Sequence, residues 1–408
     1  MKILVQKFGG SSLSLPEDRE EAINHICTAL DEGFSVCVVV SAMGRKGQPY
    51  ATDTLIDLIQ QNGSTLEKRE WDLLLHCGEI ISAVTLASML NSRNITATVL
   101  SGGQAGIVTD EEFSNAQIQQ INPERILDKL KTHQVVVVTG FQGRTQDWEI
   151  TTLGRGGSDT TATALGVALQ AEYVDIFTDV SGVMTADPRI VEDAQQLDTV
   201  TYTEIANMAH QGAKVIHPRA VEMAMQGNVP IRVRSTFSSD TGTLVTNRSE
   251  MQKNGDRTKE RLITGIAHIS HITQIKVMAK DGQYDLQLSV FKAMAENGIS
   301  VDFINVNPIG VAYTVRDEVA EKATRILQEM GYDPLTTPHC AKVSIIGAGM
   351  AGVPGVMAKI AEALNQEDIQ ILQCADSHTT IWVLVREVDM IKAVRALHRK
   401  FNLHKPGD

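Results

Sequence analysis

The chain predicts an α/β protein, with a large domain built on a mostly parallel central sheet followed by two small ferredoxin-like units. Three observations carry this. Up to about residue 245, short Val/Ile-rich runs alternate with helix-like stretches, and near-continuous apolar runs mark strands covered on both faces. The polar, charged stretch "NRSEMQKNGDRTKERL" then reads as a linker. Beyond it the chain repeats itself at an offset of 70 residues, 369 minus 299. The divisions fall at 1–246, a linker over 247–261, and two repeats over 262–337 and 338–408.

Each element has its own signal. "KILVQKF" opens as a strand, and a helix pattern follows near 16–32. "SVCVVVSA" is the second strand, with helix patterns near 52–60 and 68–91, and "TATVLSG" the third, with a helix expected near 114–131. "QVVVVTGF", "VDIFTDV" and "IRVRST" supply the remaining strands. Strand ends in such sheets face a ligand crevice, and several here run into Gly, Ser, Thr and Asp. In the repeats, "AMAENGISVDF" aligns with "ALNQEDIQILQ", which sets Ile299 and Val301 opposite Ile369 and Ile371. The same offset pairs "VAYTV" with "IWVLV", and Ala323, Arg325 and Leu327 with Ala393, Arg395 and Leu397. Each copy reads β-α-β-β-α.

Composition narrows the function classes. With 408 residues, 43% hydrophobic and 21% charged, the chain has the make-up of an ordinary globular protein. Its net charge of -12 opposes a general nucleic-acid or anionic-membrane surface, so small-molecule partners are expected, with any phosphate site local. Cys27, Cys37, Cys77, Cys340 and Cys374 are odd in number, far apart and without zinc spacing, as reduced thiols would be. The start, "MKILVQKFGG", has no signal-peptide pattern, and no apolar run approaches the ~18–20 residues of a membrane span. A cytoplasmic protein is expected.

One motif points elsewhere. Gly347, Gly349 and Gly352 in "KVSIIGAGMAGVPGVMAKIAEAL" have the G-x-G-x-x-G spacing of a dinucleotide turn. A dinucleotide fold needs several βαβ units, however, and the 56 residues after Gly352 (408 minus 352) are already committed to the second repeat. An NAD-dependent oxidoreductase is therefore not expected.

Chemistry gathers in two glycine-rich segments. In "KFGGSS", Gly9 and Gly10 let backbone amides approach phosphate oxygens, Ser11 and Ser12 add donors, and Lys7 supplies a point charge. A bare glycine turn after an edge strand is the rival explanation. In "TTLGRGGSDTTATALG", a polar loop turns into a small-residue helix with Asp159 placed as a cap. Its Arg155 can grip a carboxylate through a planar fork, and Ser158 with the helix-start amides can face a second anion. A helix cap alone explains Asp159 but leaves Arg155 idle. Glu79, in "LLLHCGE", is a carboxylate inside an otherwise apolar helix, an odd place to leave a solvated surface charge, so a functional role is favoured over that rival reading.

Together with "VVVSAMG", "FTDVSGVMTADPR" and "GAKVIHPRAVEMA", these segments resemble the aspartate kinases of the amino-acid kinase family, in order and over essentially the whole chain. The likeness is nearest the single-function, diaminopimelate-sensitive Bacillus type. It implies an amino-acid kinase fold followed by paired ACT regulatory domains, and conversion of ATP and L-aspartate to 4-phospho-L-aspartate under end-product feedback. It assigns Lys7 and Asp159 to catalysis, with Asp159 expected to hold Lys7 in place by a charge-assisted bond. ATP, with its Mg²⁺, is implied at Lys7, Phe8, Gly9, Gly10, Ser41, Thr178, Asp179, Met184, Arg189, Lys214 and Val215. Where many members carry tyrosine against the adenine, this chain has Met184. Aspartate is implied at Thr52, Glu79, Arg155, Gly156, Gly157 and Ser158. Arg155 would take its α-carboxylate and Glu79 its ammonium.

The effector is implied at Gly347, Ala348, Gly349, Met350, Val353, Pro354 and Gly355. Diaminopimelate is favoured, with lysine and threonine as alternatives. The first repeat has "DGQYDLQ" where the second has "GAGMAGVPG", so one effector site per chain, on the second repeat, is expected. A homodimer through the ACT domains is also implied. The competing class is a catalytically inactive ACT-type amino-acid sensor, which loss of Lys7 or Arg155 would have favoured; both are present.

Overall fold

The structure is a computed structural model and describes residues 1–61, 63, 66–213, 215–247, 262–279, 285–350 and 352–405. The linker positions 248–261, Lys214, and positions 281–284 of "DGQYDLQ" lie outside the described residues. The chain divides into two compact units. The first runs to Val183 and adds Gln196–Ala209 and the described residues from Val215 to Asn247; the second takes Met184–Gln195, His210–Ala213 and the described residues from Leu262 onward.

In the first unit the elements run β1 (Ile3–Phe8), α1 (Pro16–Asp31), β2 (Ser35–Val40), α2 (Thr52–Gln60), α3 (Lys68–Ser92), β3 (Ala97–Leu100), β4 (Ile107–Thr109), β5 (Ile118–Ile121), α4 (Glu124–Leu130), β6 (Val135–Thr139), β7 (Gln142–Arg144), β8 (Ile150–Thr152) and α5 (Gly157–Ala168). After β9 (Tyr173–Thr178) come β10 (Thr199–Thr201), α6 (Tyr202–His210), α7 (Pro218–Gly227), β11 (Ile231–Ser235) and β12 (Thr243–Thr246). Eight strands form one sheet in the order β10-β12-β11-β9-β1-β2-β6-β3, parallel except where β11 meets β12. Val36–Val40 and Val135–Val138 are entirely buried, as continuous apolar runs demand.

Three expectations need correction here. The segment 114–131 is not one helix: Ile118–Ile121 is a strand, and only Glu124–Leu130 is helical. With β4, β7 and β8 that strand makes a separate four-stranded sheet in the order β5-β4-β7-β8, whose three- and four-residue strands are too short to show period-2 alternation. "KFGGSS" does not follow an edge strand, because β1 lies between β9 and β2. Finally, α3 is long and apolar enough to span a bilayer by length and composition. It nonetheless buries Asp72, Glu79 and Ser82 with Leu75, Leu86 and Leu90, which is the pattern of a core helix.

The second unit contains β13 (Gly265–Met278), α8 (Leu286–Glu296), β14 (Asp302–Asn307), β15 (Gly310–Arg316), α9 (Asp317–Glu329), β16 (Leu335–Ile346), α10 (Val356–Asn365), β17 (Gln373–Asp376), β18 (Thr380–Arg386) and α11 (Met390–Lys400). One antiparallel sheet in the order β14-β15-β13-β16-β18-β17 carries both repeats. The repeats do not simply follow one another. Ile275 and Val277 pack with Leu286, Val290, Tyr313 and Leu327 in one core, whereas Ile263 and Ile266 pack with Val343, Ile345, Ile360 and Val383 in another. Ile263 and Ile266, placed by sequence in the first repeat, therefore belong to the core of the second. Register breaks between Ile269 and Gln274 mark the crossover, and His271 there has φ 58°.

Candidate active site

The glycine-rich turn after β1 sits against the loop after β2. Ser41 donates its backbone N–H to the Phe8 carbonyl (3.1 Å), and Gly44 to that of Gly10 (2.9 Å). A Cβ on Gly10 would come 2.6 Å from the Ala42 carbonyl oxygen, so only glycine fits where these backbones meet. Phe8 is fully buried and stacks on Phe177 with centroids 4.6 Å apart. Its side chain serves the core, and only its backbone borders the turn.

Lys7 and Asp159 come together from 152 positions apart (159 minus 7): Nζ lies 2.7 Å from Oδ1, with the side chains 13% and 15% exposed. Asp159 stands in the first turn of α5, and its Oδ2 accepts the His217 N–H at 3.3 Å. It is not the helix cap that the sequence suggested. Gly156 holds that position in the left-handed region (φ 69°) without a side-chain cap, and the Asp159 carboxylate turns to Lys7 instead.

Arg155 is exposed on the loop before α5, and Gly157 and Ser158 are buried at its start. A Cβ on Gly156 would lie 2.1 Å from the His217 ring. Arg219 braces the same loop by donating to the carbonyls of Leu153 (3.0 Å) and Ala116 (2.9 Å). Asp72 anchors it from α3. Its buried carboxylate accepts N–H and hydroxyl bonds from Thr152 (both 2.7 Å) and Ser114 (2.9 and 3.1 Å).

Glu79 is 2% exposed, so it is no solvated surface charge. Oε1 accepts the Ala42 N–H at 3.0 Å, and Oε2 is buried with no partner among the described residues. Burial pushes its carboxyl up to about 8, against smaller opposing effects from backbone hydrogen bonds. An incoming cation would find an acceptor already in place. Thr52 begins α2, half-buried.

Thr178 and Asp179 end β9, and Asp179 pairs with Arg45 at 2.8 Å in an exposed contact. Below them Asp175 is fully buried and takes a two-pronged grip from Arg232 (2.6 and 2.9 Å). Val215 lies in the turn before α7, and Lys214 is outside the described residues. Met184 and Arg189 fall in the second unit, where Arg189 forks onto Asp187 (3.0 and 2.7 Å).

Sequence reasoning assigned no role to Asp72, Arg45, His217, Arg219 or Asp175. Asp72 had the same signal as Glu79, a carboxylate within an apolar helix. The others act through backbone groups or partners far away in the chain.

In the second unit, a cavity of about 410 Å³ opens beside the connection from β16 to α10. Met350, Val353, Met357 and Ile381 supply its apolar wall, and Asp376, Ser377 and His378 its polar one. Gly352 and Gly355 turn the connection with φ 74° and 87°. Gly347 plays a different part: its Cβ would meet the Leu262 carbonyl oxygen at 2.2 Å, so it admits a neighbouring backbone. Gly347, Ala348, Gly349 and Pro354 are not among the residues lining the cavity.

Residues 2–235 match the amino acid kinase family, and residues 335–399 match the ACT domain. Aspartokinase 1 of Bacillus subtilis is 59% identical over 405 residues, 99% of this chain and 100% of that one. The chain belongs to the aspartokinase family. The fold of an aspartate kinase from Synechocystis is similar, with TM-score 0.80 and 26% identity over 99% of both chains. So is that of Escherichia coli aspartokinase III in complex with lysine and aspartate, with TM-score 0.77 and 25% identity over 99% of this chain and 100% of that one.

Membership places the G-x-G-x-x-G run within an ACT domain. Here β16 and β17, on either side of α10, are not neighbours in the sheet but are separated by the antiparallel β18, unlike the adjacent parallel strands that hold a dinucleotide. The aspartokinase "KFGG" segment, in turn, occupies the exit of a central parallel strand, where this fold class places its ligands.

Proposed function

We propose that this aspartokinase transfers the γ-phosphoryl group of ATP to the side-chain carboxylate of L-aspartate, forming 4-phospho-L-aspartate and ADP. A carboxylate oxygen forms the new P–O bond as the bond to the ADP bridging oxygen breaks. The nucleophile is already ionised, so the site has to align two anions and offset their charge rather than remove a proton. The observation that carries this reading is Lys7 at the exit of β1, held by Asp159 beside a turn that only glycine can form. Glu79 with its open Oε2 takes the substrate ammonium, and Arg155 the α-carboxylate. Requiring both ends selects an α-amino acid. The inactive-sensor reading has no residue to support it, since Lys7, Asp159, Glu79 and Arg155 are all present.

The proposal includes Mg²⁺ brought by the nucleotide. Among the described residues, Asp159 is committed to Lys7 and Asp175 to two arginines. The ion would therefore rest on phosphate oxygens and water, as Mg²⁺ commonly does.

An end-product amino acid occupies the cavity beside α10, where Asp376 suits an ammonium and the backbone at Gly352, Val353 and Gly355 a carboxylate. Diaminopimelate, with an amino-acid group at each end, is the favoured effector, and lysine and threonine are the alternatives. A homodimer forms through the ACT units, where Ile304, Val306 and Ile309 are exposed on the edge strand β14 and its turn. The enzyme is placed in the cytoplasm, beside its substrates.

Hydroxylamine trapping of the acyl phosphate, run beside an ADP assay, tests the central claim. Equal amounts of hydroxamate and ADP, both dependent on aspartate, are expected. ADP release that ignores aspartate would overturn the assignment.

A further inference from the structure

The second unit contains two groups of side chains with metal-ligand chemistry, and they differ in how far they are already satisfied. In the first, His271, Asp317 and Glu387, the carboxylates are engaged: His271 Nδ1 lies 3.0 Å from Glu387, and Thr273 donates to Asp317 at 2.6 Å. In the second, Asp193, His398 and His404 offer ligand atoms within 4.8 Å of one another. Here the Nδ1 atoms of both histidines are buried and have no hydrogen-bond partner among the described residues. His398 is fully buried.

An imidazole nitrogen with no partner inside a protein is costly unless something comes to meet it. Among the described residues the opposing charge is Asp193, whose Oδ1 stands 3.8 Å from His398 Nδ1, too far for a hydrogen bond. That separation suits a shared ion: donors about 2.0–2.1 Å from a tetrahedral zinc lie roughly 3.3–3.5 Å from each other. The other face of His398 is already set. Nε2 lies 3.0 Å from the Thr185 hydroxyl, whose oxygen also accepts the Gln195 N–H at 2.9 Å. Donation from Nε2–H to this oxygen leaves a lone pair on Nδ1, the arrangement in which metal-bound histidines are held by an outer partner.

We infer that Asp193, His398 and His404 form a site for one zinc-type divalent cation, with water as fourth ligand. Two imidazoles and one carboxylate match zinc better than magnesium or calcium, which prefer oxygen ligands throughout. The site joins residues far apart in the chain. Asp193 belongs to the segment Met184–Gln195, His398 ends α11, and His404 lies in the turn beyond it. Arg395 already holds that segment by donating to the Ile190 carbonyl at 2.8 Å, and Ile266 donates to that of Thr185 at 2.8 Å. The cation fastens the same junction and is structural, not catalytic.

The test uses the full chain without an affinity tag, stripped with a chelator and titrated with zinc by calorimetry and with cobalt(II) by visible absorption. Expected are one zinc per chain, the intense visible bands of tetrahedral cobalt, and a higher unfolding temperature with zinc. Asp193→Asn and His404→Gln should each weaken binding by about 10-fold or more. His398→Gln fills a fully buried position and can fail to fold, so the two more exposed positions carry the test. Absence of stoichiometric zinc binding, a six-coordinate cobalt spectrum, or unchanged affinity in both variants overturns the site.

Discussion

Lys7 Nζ and Asp159 Oδ1 stand 2.7 Å apart, joining the exit of the central strand β1 to the first turn of α5. The carboxylate fixes where the ammonium points, and its second oxygen is tied to the His217 backbone. Lys7→Ala should lower kcat by about 10²–10³, the usual cost of losing a group that meets transition-state charge. Asp159→Asn keeps the shape and should cost less. Steady-state kinetics on variants with native circular dichroism decide this; wild-type turnover in Lys7→Ala removes the residue from the mechanism.

Glu79 makes aspartate binding depend on pH. With its carboxyl at about 8, the free enzyme is mostly protonated there at neutral pH, and binding a substrate ammonium requires the ionised form. KM for aspartate should fall as pH rises toward 8, approaching ten-fold per unit well below it. The stability effect has the opposite direction. A carboxyl raised above its unfolded value stabilises the fold fully below about 4.5, and that contribution is lost as pH climbs through about 8. Glu79→Gln should therefore flatten the unfolding-temperature profile over this window, raise KM for aspartate most at and above pH 8, and remove its fall with rising pH. A KM profile unchanged by the substitution refutes the ammonium role.

Arg155→Lys should raise KM for aspartate by about ten-fold or more and leave KM for ATP nearly alone, since lysine cannot form the two-pronged carboxylate contact. Equal effects on both substrates would place Arg155 elsewhere.

Gly156→Ala faces two penalties, a left-handed backbone at φ 69° and a Cβ only 2.1 Å from the His217 ring. We expect a stability loss above about 1 kcal/mol together with weaker aspartate binding. Denaturant unfolding and kinetics measure both, and a neutral variant would mean the loop is not held against His217.

Val353 lines the cavity beside α10 and is 42% exposed, so a larger side chain should be tolerated by the fold. Val353→Trp should keep uninhibited turnover within a few-fold of wild type and abolish end-product inhibition, a coupling typically worth about 1–3 kcal/mol. Inhibition that survives with its usual midpoint would put the effector outside this cavity.

Much of the candidate site was legible because its signals are local. Glycines at a strand exit, an arginine in a glycine-rich loop and a carboxylate in an apolar helix each break a periodicity, and Lys7, Arg155 and Glu79 were found that way. Asp159 was located, and the bond to Lys7 expected from the resemblance is present; its reading as a cap was wrong, because Gly156 holds that position. His217 and Arg219 act on backbone carbonyls or glycine faces, which leave no mark in the residue pattern.

By itself, the sequence determined the parallel sheet from its continuous valine runs, and the paired β-α-β-β-α units from the 70-residue repeat. Both follow from side-chain hydrophobicity, which is written residue by residue. Only the tertiary structure decided that Ile263 and Ile266 enter the core of the second repeat, not the first. The same is true of the meeting of Asp193 with His398 and His404, and of the unpaired Oε2 of Glu79. Strand partners and buried polar vacancies depend on which distant surfaces are pressed together, and packing alone settles that.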